Sequence, residues 1–64
     1  MPMEVAIEVA LREGPEANSS VMAILQPHVI FEVLELAGDN AWGIALEHGL
    51  VGYVNADSLV RPAP

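Results

Sequence analysis

The chain has 64 residues, enough for one small domain without an accompanying second core. Nine acidic residues against two Arg, with no Lys, give a formal charge of -7, which sets the chain against nucleic-acid phosphates and anionic membrane surfaces alike. The absence of Cys excludes a disulfide staple and a thiolate zinc site, and no apolar run approaches the roughly 18 residues that a membrane helix needs.

The N-terminal segment MPMEVAIEVA has no basic region and carries Glu4 and Glu8, so it does not read as a secretory signal. This leaves the compartment unknown, cytoplasmic by default. From Glu4 to Leu11 the residues alternate, with Val5, Ile7, Val9 and Leu11 on one face and Glu4, Ala6, Glu8 and Ala10 on the other. That period of two predicts a half-buried strand. The stretch REGPEANSS, residues 12–20, interrupts it with Gly14-Pro15 and the turn-formers Asn18, Ser19 and Ser20, and reads as an ordered loop. Val21 to Leu25 is a five-residue apolar run whose length suits a doubly buried strand. The alternative, which periodicity alone does not exclude, is a helical turn from Val21 capped by Ser19 or Ser20. Gln26-Pro27 ends the run, because Pro has no N–H for a ladder.

Residues His28 to Asp39 support two readings. As a helix, His28, Glu32, Glu35 and Asp39 share a polar face and Gly38 terminates it. As a strand, Phe31 and Val33 face the core, and Glu35 forces a bulge or carries the strand past the core. Local pattern leans to helix, whereas β-branched Val29, Ile30 and Val33 with Phe31 lean to strand. After the turn signal Gly38-Asp39-Asn40, the stretch AWGIALEHGLVGYVNADSL organises the chain. Trp42, Ile44 and Leu46 alternate with Gly43, Ala45 and Glu47; His48-Gly49 makes a tight turn; Leu50 to Val54 returns. This is a β-hairpin bearing the single Trp and single Tyr. Ala56 to Ser58 reads as a 3₁₀ turn, Leu59-Val60 as a last short strand, and residues 61–64 as a tail or the start of a linker.

In this order the signals resemble the bacterial SH3 (SH3b) domain. Leu11-Arg12-Glu13-Gly14-Pro15 matches its "R-x-G-P" turn, Ser19, Val21 and Leu25 its "S-x-V-x-x-x-L", Phe31 to Glu35 its "V-x-V-L-E" strand, and Gly52-Tyr53-Val54 with Leu59 its "G-Y-V-x-x-x-x-L". The segments Asp39-Asn40-Ala41-Trp42-Gly43 and Gly49 to Val54 are similar to those of SH3b domains at the N-terminus of NlpC/P60 cell-wall peptidases. Asn40 and Leu50 stand where that family has a Trp and a Tyr, and His28 where it has a turn Gly.

The resemblance implies an all-β fold for residues 1–60: a small SH3-like barrel of five to six short antiparallel strands. The ambiguous segment is then a strand, and the joined edges leave few open backbone groups. Val5, Ile7, Val9, Leu25, Phe31, Val33, Ile44, Val54 and Leu59 are the expected interior. Ala6, Ala10, Met22, Ile30 and Leu34 are the apolar surplus left for a partner or a second copy. It also implies a non-catalytic accessory module that shapes or targets a peptidase cleft. The expected partners are a cell-wall peptide or an adjacent catalytic domain, with homo-oligomerisation as the alternative.

No catalytic constellation is visible. The peptidase nucleophile of NlpC/P60 enzymes is a Cys, which this chain lacks, and Ser19, Ser20 and Ser58 have no G-x-S-x-G setting. His28 and His48 fit solvated turns, Glu4 and Glu8 a solvated strand face, and no cofactor or metal is expected. Gly49 to Gly52 lacks the pattern of a phosphate loop. Trp42 either packs on the barrel between the hairpin and the 12–20 loop or, with Tyr53, forms the platform on which a ligand would rest, with Arg12, Asn40 and Asn55 as polar contacts. With one Phe, one Trp and one Tyr, a proline-peptide groove of the eukaryotic kind is not expected.

Overall fold

A computed structural model describes residues 1–62. All regular structure is β apart from one 3₁₀ turn: β1 (Pro2–Val5), β2 (Val9–Arg12), β3 (Val21–Leu25), β4 (Ile30–Ala37), β5 (Asn40–Ala45), β6 (Leu50–Asn55) and β7 (Leu59–Val60), with the 3₁₀ turn at Ala56–Ser58. Every pairing is antiparallel, in the order β3-β2-β6-β5-β4-β1-β7. The sheet curls into a half-barrel. Among the described residues no ladder joins β3 to β7, so the expected closure of the two edges does not occur.

The curl follows from chain length. β1 and β2 are consecutive in sequence but four places apart in the sheet. In a flat sheet that gap is about 19 Å, at about 4.8 Å per strand. The chain from Val5 to Val9 reaches at most about 14 Å. The link Ala6–Glu8 therefore holds the two ends of the sheet together.

That link also corrects the reading of 4–11 as one strand and raises the strand count from six to seven. Backbone groups at and beside the link serve other elements: the Ala6 N–H donates to the Ser58 carbonyl at 2.7 Å, and the Val5 carbonyl accepts from the His28 N–H at 2.8 Å. Ile7, placed in the interior by alternation, sits on the crossing and is 61% exposed.

The core comprises Val5, Leu11, Leu25, Val29, Phe31, Val33, Ala41, Ala45, Val54 and Leu59, with Val9 packed against its edge. The segment from Ile30 is a strand. Phe31 and Val33 point inward, a bulge follows at Leu34, and the strand runs past the core from there. In β5 the inward face is Ala41, Gly43 and Ala45; Ile44, expected inside, is only partly buried on the opposite face beside Trp42. The cause is space. Phe31 lies opposite Ala45, and its ring edge stands 3.0 Å from where a Gly43 Cβ would be, so only small residues fit that face. Of the apolar surplus, Ala6 and Leu34 are exposed, whereas Ala10, Met22 and Ile30 are partly buried.

The β5–β6 turn is longer than the two residues expected. Ala45 pairs with Leu50 across a four-residue loop, with the His48 and Gly49 N–H groups donating to the Ala45 carbonyl at 3.0 and 2.9 Å. Gly49 takes φ +66°, the left-handed region that such loops need. His28 adopts φ +78°, doing at the β3–β4 turn what a Gly does more cheaply. Arg61 and Pro62 continue without regular structure; the remainder of the expected tail, Ala63 and Pro64, lies outside the described residues.

Candidate functional site

β2 and β6 are paired at a single position, Arg12 opposite Tyr53, and they separate beyond it. A groove of about 450 Å³ opens in that separation, within the size range of small-molecule and short-peptide sites. Its floor comes from Val9 and Ala10 on β2 and from Tyr53, Val54 and Asn55 on β6. Gly14 to Ala17 form one wall, and Asp39 and Asn40 the other.

The loop 13–20 that makes the first wall is held by a polar lattice. The Ser19 hydroxyl donates at 2.7 Å to the Gly14 carbonyl and also contacts the Glu16 carbonyl at 2.5 Å. The Glu13 N–H donates to the Ser20 carbonyl at 2.9 Å, closing the loop at its base. The Arg12 guanidinium donates to the Ser19 carbonyl at 2.7 Å, and the Asn40 amide donates to the Pro15 carbonyl at 3.2 Å across the groove. The far wall is tied to the 3₁₀ turn: the Ala56 N–H donates to the Asp39 carbonyl at 2.9 Å, and the Asn55 side chain caps the turn by accepting from the Asp57 N–H at 2.8 Å.

Four of the five residues named from sequence, Arg12, Asn40, Tyr53 and Asn55, line this groove. Trp42 does not. It lies directly opposite Tyr53 on the next strand, partly buried on the sheet's outer face, so its indole neighbours the floor without lining it. Sequence reading missed Pro15, Glu16 and Asp39. Each lies in a stretch with a clear turn signal, but the meeting of the two turns is a product of the curl.

The groove carries both signs of charge, with Arg12 at its base and Glu16 and Asp39 on opposite walls. Among the described residues no carboxylate stands within ion-pairing distance of Arg12. Elsewhere, His28 Nδ1 lies 2.8 Å from a Glu4 oxygen, an exposed contact away from the groove. No group of three or more metal-ligating side chains converges among the described residues. The groove therefore offers hydrogen bonds, an aromatic floor and opposed charges, which suit non-covalent capture of a short polar ligand. Comparison with protein-family models, curated proteins and solved structures finds no significant match in any of the three.

Proposed function

We propose that the chain is a non-catalytic binding module of the SH3b type, which takes a cell-wall peptide in the β2–β6 groove as accessory to a peptidoglycan hydrolase of the NlpC/P60 kind. The observation supporting this reading is the groove itself: Arg12, Asn40, Tyr53 and Asn55, drawn from three strands, line one concavity walled by two turns. Arg12 suits a peptide carboxylate, Glu16 and Asp39 suit an amino group, and Tyr53 supplies an apolar face with a polar tip. The hydrolase association rests on the motif resemblance.

The test is a titration with a soluble muropeptide, following the emission of Trp42, the only Trp and the direct neighbour of Tyr53. A saturable change below millimolar ligand is expected, and Tyr53→Ala should weaken it about tenfold, or about 1.4 kcal/mol. A spectrum unmoved at millimolar muropeptide sinks the proposal, and turnover of that peptide by the pure protein overturns its non-catalytic part.

A further inference from the structure

On the outer face of the sheet, four strands place one residue each in a single row: Arg12, Tyr53, Trp42 and Glu35. Below that row Val51 and Ile44 form a second cross-strand pair. The result is a two-by-two apolar block, Tyr53-Trp42 over Val51-Ile44, with a cation at one end of its upper row and an anion at the other. Residues paired across strands share a face, so all six belong to one surface. All are at least partly exposed, and Val51 is 48% so. Among the described residues neither Arg12 nor Glu35 has an ion-pair partner.

This row is complementary to itself reversed. From these placements we infer that the outer face of β5–β6 is a docking surface for a second copy of this chain, the two sheets stacked face to face about a two-fold axis parallel to the strands. The axis runs between β5 and β6. It sets Tyr53 of each copy over Trp42 of the other, Val51 over Ile44, and Arg12 over Glu35 at both ends. On a flat sheet Arg12 and Glu35 would stand three strand spacings apart, about 14 Å; the curl sets both ends back from the central contact, so Arg12 and Glu35 act across it as charges facing each other rather than as bonded pairs. A contact of this isologous kind forms every favourable pair twice.

The occupant is a second copy because of charge order. At -7 the chain repels itself on most approaches. On this face reversal brings Arg12 onto an acid, Glu35. Glu32, beside Ile44, is already engaged by the N-terminal amine. Arg12 and Tyr53 also line the groove, so a groove-bound peptide and the second copy exclude each other, and the association is measured without peptide.

Sedimentation equilibrium from micromolar to millimolar protein tests this. The expected species at high concentration has twice the 6.8 kDa chain mass. Glu35→Arg and Arg12→Glu should each weaken association at least tenfold, because each sets like charges opposite. An equimolar mixture of the two variants should form a heterodimer. Leu36→Lys, which adds one positive charge outside the six-residue surface as Val51→Lys does inside it, should stay within twofold of the parent. If Arg12→Glu does not fold, Val51→Lys reads the same face and should dissociate the pair. A parent that stays monomeric to millimolar concentration overturns the inference, as does Glu35→Arg or Val51→Lys associating like the parent.

Discussion

Two glycines facing each other, Gly43 on β5 and Gly52 on β6, are required by contact rather than by backbone dihedrals. A Cβ on Gly43 would overlap the Glu32 carbonyl oxygen. One on Gly52 would stand 2.6 Å from the Arg12 carbonyl oxygen and from the Met22 methyl. At both places the obstacle includes backbone, so no rotamer change relieves it. Gly43→Ala is expected to cost about 3 kcal/mol or more, the upper end of overpacking penalties. Set against a total of about 3–10 kcal/mol for a domain of this length, that removes between a third and all of the stability. A urea melt followed by Trp42 fluorescence measures it; a loss under 1 kcal/mol would mean that β4 and β5 can separate without harm.

Among the elements, the crossing at Ala6–Glu8 shows where pattern and structure part. Its alternation is as regular as that of the strands on either side, yet the segment is a strut between sheet ends. Ile7 should therefore be dispensable: Ile7→Ser is expected to shift stability by no more than about 0.5 kcal/mol in a chemical melt, as exposed substitutions do. An Ile truly inside would cost several times that.

β5 parts from its pattern for a different reason. Hydropathy favours Trp42 and Ile44 as the inner face, but the Phe31 ring occupies the volume they would need, and small Ala41, Gly43 and Ala45 go inside instead. Size decided that face, and size matters only once a neighbour is known. β4 is the converse. Its local signals balance between helix and strand, and pairing with β1 on one side and β5 on the other resolves them. The Leu34 bulge was legible in advance, because Glu35 falls on the Phe31 face unless a residue is inserted. The groove was half legible: its polar residues and both turn segments stand out in the sequence, but the separation of β2 from β6 that makes it hollow does not.

At the scale of the molecule, a chain of this size buries only about 60% of the surface it exposes when unfolded, so its margin rests on few large side chains. Phe31, Leu11 and Leu25 are the largest that are fully enclosed, and they come from three different strands. Their non-local arrangement, with β1 docking on strands more than twenty residues later, places folding on the slower side for a domain this small.

β1 lies antiparallel beside β7, with Glu4 opposite Val60 and Val5 opposite Leu59. The polypeptide thus enters and leaves at one corner. Tying that corner with a short Gly/Ser tether and reopening the backbone inside the exposed 46–49 loop yields a circular permutant that keeps every ladder. Cooperative melting within about 1–2 kcal/mol of the parent is expected, read by circular dichroism in urea. The same corner lets the whole domain be spliced into a surface loop of a larger host without prying the host's loop ends apart.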